Sequence, residues 1–177
     1  MSYLPNALSV LRILMTPLIV IAIFHGLYDR ALTLCLIAGW TDAFDGWTAR
    51  WLGVESKVGR VLDPLADKVM QVGVFLALGI TGLVPVWVVV IVFGRDLLIV
   101  ALAAIFLITG RKGDFPPSIW GKISTIIQIA TAAFVLGRVA APWEPFGLAM
   151  TAVATTWSGL HYCWRALEWL RGREIRA

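Results

Sequence analysis

Six long apolar segments, separated by short polar connections, make up most of this chain. They span approximately residues 6–27, 31–51, 61–82, 86–109, 119–140 and 146–170. A helix needs about 20 residues to cross the hydrocarbon core of a bilayer, and each segment is about that long. Overall, 59% of the residues are hydrophobic and only 15% are charged. Both observations predict an all-α integral membrane protein, built as a bundle of six transmembrane helices.

The connections indicate that residues 1–177 form a single domain. The clearest break is GRKGDFPPS, residues 110–118, whose glycines and prolines oppose helix continuation. No internal repeat and no linker long enough to join two domains occurs in the sequence. Cys35 and Cys163 lie within apolar segments and form no metal-binding pattern, so we interpret them as small buried hydrophobic residues.

Lysine and arginine are unevenly distributed among the connections, which predicts the orientation of the chain. The basic residues of the second connection, the fourth connection and the C-terminal tail are Lys57, Arg60, Arg111, Lys112, Arg171, Arg173 and Arg176. The only basic residue of the first and third connections is Arg30, and Arg138 near the fifth connection is the other exception to the alternation. Because cytoplasmic loops carry an excess of positive charge, we expect both termini in the cytoplasm. The net charge of +4 is small and dispersed, so nucleic-acid binding is not expected.

Four aspartates lie where the second and third segments meet one predicted membrane face. Asp42 and Asp45 are near the end of the second segment, and Asp63 and Asp67 are at the start of the third. Spacings of three and four residues place each pair on one helical face. An uncompensated aspartate costs about 3 kcal/mol at the centre of a membrane helix, so these charges require neutralisation. Clustered carboxylates suit Mg²⁺ or Mn²⁺, and four of them can hold two adjacent ions.

Two other interpretations of the aspartates are open. Each carboxylate could pair with a nearby base, as is common at helix ends. The bases close in sequence are Arg50, Lys57, Arg60 and Lys68. The acids could also line the path of a cation transporter, but such a path would cross the bilayer, whereas these four lie near one face. Neither alternative explains Gly46 and Ala49, which leave space for a ligand beside the carboxylates.

The stretch from Asp42 to Asp67 resembles the signature of the CDP-alcohol phosphotransferases, or CDP-alcohol phosphatidyltransferases, which make phospholipids in membranes. Their pattern is D-x2-D-G-x2-A-R-x8-G-x3-D-x3-D. The eight fixed positions are present at the expected intervals as Asp42, Asp45, Gly46, Ala49, Arg50, Gly59, Asp63 and Asp67. If each fixed position matches by chance with a probability of roughly one in twenty, the probability that all eight match at a given starting point is on the order of 10⁻¹⁰. With PNALSVLR and WGKISTIIQ, the chain looks most like the bacterial phosphatidylglycerophosphate synthase and cardiolipin synthase branch.

The resemblance implies an enzyme that transfers a phosphatidyl group from CDP-diacylglycerol to an alcohol and releases CMP. It implies two ions of Mg²⁺ or Mn²⁺, with the ligands Asp42, Asp45, Asp63 and Asp67. It makes Asp67 the general base for the acceptor hydroxyl as well. The positions implied to bind the CDP-linked lipid are Gly46, Ala49, Arg50 and Gly59. It also implies a homodimer in a bacterial-type inner membrane, with the active site open to the cytoplasm.

The signature does not identify the acceptor alcohol. In the glycerophosphate enzymes of the family, an Arg-Glu pair in the fourth segment is followed about two turns later by a second arginine. Here the pair is Arg95-Asp96, and Ala103 takes the place of that arginine. This departure favours phosphatidylglycerol as the acceptor, as in cardiolipin synthases, with glycerol 3-phosphate as the alternative. The candidate acceptor-binding residues are Arg12, Arg95 and Lys122, although Arg95 could simply pair with Asp96, and the other two could snorkel toward headgroups.

Overall fold

The structure is a computed structural model that describes residues 3–52, 59–108, 118–138 and 143–170. Within these ranges, the side chains of residues 3–8, 42–52, 59–63, 107, 143–144 and 170 are not described. The described residues form six helices, α1 to α6, and no strand. The helices are Tyr3–Phe24, Tyr28–Leu52, Gly59–Ile80, Val86–Ile108, Ile119–Leu136 and Trp143–Leu170. The all-α prediction is confirmed, and each helix overlaps one of the predicted apolar segments.

Two of the described helices are long and apolar enough to cross a membrane. These spans are Val86–Phe106 in α4 and Ile119–Leu136 in α5, and α1 contains a shorter apolar stretch, Ser9–Phe24. Large apolar side chains on α4 are exposed, including Leu97 at 71% and Ile108 at 84%. Exposed apolar surface of this kind suits contact with lipid. The chain is therefore membrane-associated, while the crossing of the membrane by all six helices stays a prediction.

The chain forms two compact units. Unit 1 comprises Met1–Val84 and Ala132–Val139, and unit 2 comprises Pro85–Thr131 and Ala140–Ala177. Helix α5 contributes to both units, because the division falls between Thr131 and Ala132. The single-domain organisation predicted for residues 1–177 stays a prediction.

In unit 1, α1 packs against both α2 and α3. Gly73 of α3 allows a close approach to α1, because a Cβ atom there would lie 2.9 Å from Thr16 Cγ2 and 3.3 Å from Val20 Cγ2. The largest fully buried side chains of this unit include Ile19, Ile23, Phe75 and Leu78. Removal of these apolar groups from contact with solvent or lipid, together with tight packing, holds α1 against α3.

The end of α1 is fixed by a Schellman motif. Gly26 has a φ of +71°, which a residue with a Cβ atom rarely adopts. The Gly26 N–H donates to the Ile23 carbonyl at 3.0 Å, and the Leu27 N–H donates to the Ala22 carbonyl at 2.9 Å. These bonds satisfy carbonyls that the helix end would otherwise leave without partners. The turn therefore directs the chain from α1 into α2.

In unit 2, α4 packs against α6, and buried polar side chains join α5 to α6. We call these side chains the polar seam, which consists of Ser124, Gln128, Thr131, Thr151 and Thr155. Gln128 Nε2 donates to Thr155 Oγ1 at 2.8 Å and to Ser124 Oγ at 3.2 Å. Thr151 Oγ1 donates to Thr131 Oγ1 at 2.8 Å. Such bonds between membrane helices contribute about 0.6 kcal/mol each on average, so the seam stabilises the packing of α5 against α6.

Candidate active site

The signature is divided between the C-terminal part of α2 and the N-terminal part of α3. Asp42 and Asp45 lie on α2, and Asp63 and Asp67 lie on α3. Because both stretches are helical, each pair retains the spacing that places two residues on one helical face. The signature positions whose side chains lie outside the described residues are Asp42, Asp45, Gly46, Ala49, Arg50, Gly59 and Asp63. Their roles stay predictions.

Asp67 is the signature carboxylate with a described side chain, and it pairs with Arg12 of α1. Arg12 Nη1 donates to Asp67 Oδ1 at 2.6 Å. The Arg12 side chain is 3% exposed, whereas the Asp67 side chain is 55% exposed. A snorkelling arginine would keep its charged head in water, so the burial of Arg12 contradicts that interpretation. The half-exposed carboxylate stays accessible to a ligand while one of its oxygens accepts a charge-assisted hydrogen bond.

The local structure of α1 supports this ion pair. Thr16 Oγ1 donates to the Arg12 carbonyl at 2.9 Å, and Thr16 also contacts α3 beside Gly73. Arg12 and Thr16 are one helical turn apart, so both lie on the face of α1 that packs against α3. The short distance between Arg12 and Asp67 therefore depends on the close packing of α1 against α3, which Gly73 permits.

In unit 2, Arg95 forms the centre of a buried arrangement that we call the arginine cluster. Arg95 Nη1 donates to Asp96 Oδ1 at 2.8 Å, so the ion pair that the sequence left open as one interpretation is present. Its Nη2 donates to Ser158 Oγ at 3.1 Å and to the Gly121 carbonyl at 3.3 Å. Its guanidinium lies over the Tyr162 ring, 5.8 Å from the centroid. Through its Nε, Nη1 and Nη2 atoms, Arg95 thus contacts groups on α4, α5 and α6.

The start of α5 is held against α6 beside the arginine cluster. The Ser118 N–H donates to Tyr162 Oη at 2.9 Å, and Ser118 Oγ lies 3.0 Å from His161 Nδ1. A Cβ atom at Gly121 would lie 2.9 Å from both Arg95 Nη2 and Tyr162 Oη. A side chain at position 121 would therefore displace the guanidinium or the phenol.

Sequence reasoning missed three buried polar residues of α6, two of which contact Arg95. Ser158 and Tyr162 contact Arg95, and Arg165 is also buried, with 7% of its surface exposed. The spacing of Ser158, Tyr162 and Arg165 is i, i+4 and i+7, which places them on one helical face. Three polar residues at this spacing in an apolar segment were the signal that could have identified them.

The candidate acceptor-binding residues are placed differently. Arg12 lies in unit 1 on Asp67, and Arg95 lies in unit 2 within the arginine cluster. Lys122 lies in the first turn of α5 with an exposed side chain. An acceptor-binding role for these residues stays a prediction.

The donor set of the signature fits a hard divalent cation. Mg²⁺ and Mn²⁺ prefer carboxylate oxygens, which are the groups that the four aspartates supply, and the half-exposed Asp67 carboxylate is accessible. Among the described side chains, no group of three or more His, Cys, Asp or Glu residues is close enough to hold a metal. Asp42, Asp45 and Asp63 lie outside that part of the chain, so the metal ligand set stays a prediction.

Several known proteins are similar to this chain over two thirds or more of its length. The family model described as CDP-alcohol phosphatidyltransferase matches residues 2–160. The probable phosphatidylglycerophosphate synthase of Mycobacterium tuberculosis is 32% identical over 183 residues, covering 96% of this chain and 84% of that protein. The CDP-diacylglycerol–glycerol-3-phosphate 3-phosphatidyltransferase of Aquifex aeolicus is 36% identical over 125 residues, covering 69% and 68%. The cardiolipin synthase (CMP-forming) of Rattus norvegicus is 28% identical over 199 residues, covering 96% and 64%.

The match extends through α1, the signature on α2 and α3, and most of α6. It thus includes Arg12 and Asp67, and also Arg95 with its hydrogen-bond partners Asp96, Gly121 and Ser158. The match is to a family of enzymes and not of transporters. It therefore disfavours the interpretation of the aspartates as the path of a cation transporter. By this match, the chain belongs to the CDP-alcohol phosphatidyltransferase family and is an enzyme of that class.

Proposed function

We propose that this enzyme transfers a phosphatidyl group from CDP-diacylglycerol to a glycerol-type alcohol and releases CMP. The observation that carries the proposal is the complete eight-position signature on two consecutive helices, α2 and α3. The names of two relatives support the donor and the leaving group. The Aquifex aeolicus protein is named for CDP-diacylglycerol, and the rat enzyme is named as CMP-forming.

Asp67 acts as the general base in this proposal. The acceptor hydroxyl oxygen attacks the phosphorus that carries the diacylglycerol, and the bond from that phosphorus to the bridging oxygen of CMP breaks. The hydroxyl proton passes to the Asp67 carboxylate, and CMP leaves with the bridging oxygen. A general base must be reachable by the substrate and held in position. The half-exposed Asp67 carboxylate, fixed by Arg12 at 2.6 Å, satisfies both requirements.

The other signature residues bind the metals and the donor lipid. The residues that would hold Mg²⁺ or Mn²⁺ as two ions are Asp42, Asp45, Asp63 and Asp67. Bound ions of this kind neutralise pyrophosphate charge and the charge that develops on a leaving phosphate. Arg50 donates to the phosphates as a fixed charged group. The small residues that let the nucleotide lie close to the helices are Gly46, Ala49 and Gly59.

For the acceptor, we favour phosphatidylglycerol, which would make the enzyme a cardiolipin synthase. Ala103 lies on α4 two turns after Arg95, where the resemblance places a second arginine in enzymes that use glycerol 3-phosphate. A phosphodiester headgroup carries less charge than a phosphate monoester and requires fewer cationic partners. The rat relative, which aligns over 96% of this chain, is named as a cardiolipin synthase. Arg95 and Lys122 are the proposed contacts to the acceptor phosphate.

Glycerol 3-phosphate is the second candidate acceptor. It is favoured by the names of the Mycobacterium tuberculosis and Aquifex aeolicus relatives. Arg95, which is 8% exposed as a residue, carries a guanidinium, the kind of group that pairs with a phosphate. The two candidates can be distinguished with the same purified enzyme, because each predicts a different acceptor as the one that is converted faster.

The test is CMP release by the purified protein in detergent with CDP-diacylglycerol and Mg²⁺ or Mn²⁺. Phosphatidylglycerol and glycerol 3-phosphate are compared as acceptors, and the lipid product is identified by mass spectrometry. Cardiolipin as the faster product supports our proposal. Phosphatidylglycerophosphate as the faster product contradicts the acceptor assignment and shows that a second arginine at position 103 is dispensable.

We further propose a homodimer in a bacterial-type inner membrane, with both termini and the active site facing the cytoplasm. The excess of lysine and arginine in alternate connections supports this orientation. A single cysteine placed at Ser2 or Ala177, in a Cys35→Ala and Cys163→Ala background, should react with a membrane-impermeant maleimide only after the cells are opened. Labelling of either cysteine in intact spheroplasts would contradict the orientation, and a monomeric mass in detergent would contradict the dimer.

A further inference from the structure

Arg12 lies outside the signature but contacts its last carboxylate directly. Its side chain is 3% exposed, and its Nη1 lies 2.6 Å from Asp67 Oδ1. Burial of a charged group in an apolar bundle is costly unless a partner compensates it. The Asp67 carboxylate supplies that compensation and is itself 55% exposed. The exposed member of the pair is therefore the one that a substrate can reach.

We propose that Arg12 is a positioning residue for Asp67 and does not itself bind the acceptor alcohol. It holds the carboxylate in the orientation in which it accepts the proton of the acceptor hydroxyl. This inference rests on the proposed function, in which Asp67 is the general base. It assigns to Arg12 a different role from that of Arg95 and Lys122.

The side-chain chemistry supports an orienting role. An aspartate has two rotatable bonds, so a half-exposed carboxylate without a fixed donor can rotate among several orientations. The short charge-assisted bond from a buried guanidinium removes much of this freedom. A displacement of about 1 Å at a reacting group can cost on the order of 10²-fold in rate. An arginine that fixes the base can thus contribute strongly to turnover without contacting either substrate.

The helix packing supports the same role. Arg12 and Asp67 are 55 residues apart in the chain, and the packing of α1 against α3 brings them together. Thr16 binds the Arg12 carbonyl and also lies against Gly73. The backbone of Arg12 is thus fixed where α1 packs against α3, and its side chain reaches Asp67 from that fixed position.

The experiment compares Arg12→Gln and Arg12→Lys with Arg30→Gln as a matched control. Arg30 is an exposed arginine in the first turn of α2, outside the candidate site. CMP release is measured over a range of acceptor and CDP-diacylglycerol concentrations. Each kcat is divided by the number of binding sites for CDP per chain, measured with CDP and Mg²⁺, so that misfolded protein does not count as slow enzyme.

We expect Arg12→Gln to lower kcat on the order of 10²-fold while the KM for the acceptor stays unchanged. Arg12→Lys retains a charged donor and should restore part of the loss, and Arg30→Gln should match the wild type. A raised acceptor KM at unchanged kcat would show that Arg12 binds the acceptor, and wild-type kinetics would show that it has no role. Either result overturns the proposal.

Two further results keep this test separate from that of the proposed function. If Arg12→Gln fails to bind CDP, the kinetics of Arg12→Lys test the proposal instead. A lower kcat of Arg12→Lys at unchanged acceptor KM supports positioning, and any other pattern overturns it. Wild-type turnover by Asp67→Asn would overturn the general-base assignment itself. An inactive Asp67→Asn variant beside a fully active Arg12→Gln variant would overturn positioning alone.

Discussion

Substitution of Gly73 by alanine should destabilise unit 1 through a defined steric conflict. The added Cβ atom would lie 2.9 Å from Thr16 Cγ2 and 3.3 Å from Val20 Cγ2, closer than the optimal carbon separation of about 3.5–4.0 Å. Overpacking of this kind costs about 1–3 kcal/mol. Alanine gains about 1 kcal/mol over glycine in helix propensity. The net loss of unfolding free energy is then about 1 kcal/mol, or about 2–4 °C in Tm for a chain of this size.

Thermal unfolding in detergent, followed by tryptophan fluorescence, measures this effect. Gly147→Ala is the matched control, because its Cβ atom would make ordinary contacts of 3.6 and 3.7 Å with Thr131, and its Tm should be equal or higher. Thr16→Ser removes Cγ2 but keeps the hydroxyl, so it should restore much of the Tm in the Gly73→Ala background. A Gly73→Ala Tm at or above that of the wild type would refute the packing argument, as would a failure of Thr16→Ser to restore it.

Two further predictions concern other parts of the fold. Gly26→Ala places a Cβ atom on a residue with φ +71° and should lower the unfolding free energy by about 1 kcal/mol, measured by thermal unfolding; an unchanged Tm would contradict the strain. Gln128→Leu removes two hydrogen bonds of the polar seam and should cost about 1 kcal/mol, measured by titration with a denaturing detergent. A stabilised Gln128→Leu variant would show that the seam does not hold α5 against α6.

The sequence predicted the helices well because the signal for each of them is local. Apolar runs of membrane-spanning length, interrupted by glycine, proline and charge, fix where a helix starts and ends to within a few residues. The signature could equally be recognised from the sequence, since all of its positions fall within the 26 residues from Asp42 to Asp67. The Arg95–Asp96 ion pair was predictable for the same reason, because its members are adjacent in the chain.

Contacts between distant helices could not be predicted in this way. Arg12 and Asp67 are separated by 55 residues, and Arg95 and Ser158 by 63, so no local period links them. Arg12 was therefore interpreted as an acceptor ligand or a snorkelling residue, and its burial against Asp67 became evident only from helix packing. The polar seam was missed because single serines and threonines in apolar helices can bond their own backbone. Their pairing across α5 and α6 depends on how the two helices pack.

We propose that the signature carboxylates catalyse transfer of a phosphatidyl group from a CDP-linked lipid. The most direct test is to measure CMP and new phospholipid together, from CDP-diacylglycerol and phosphatidylglycerol, with the wild-type enzyme and with Asp67→Asn. We predict equal yields of CMP and cardiolipin from the wild type, and neither product from Asp67→Asn, although that variant still binds CDP. Equal rates from the two proteins would contradict the assignment of Asp67 to catalysis, and CMP without a new phospholipid would contradict phosphatidyl transfer to the alcohol.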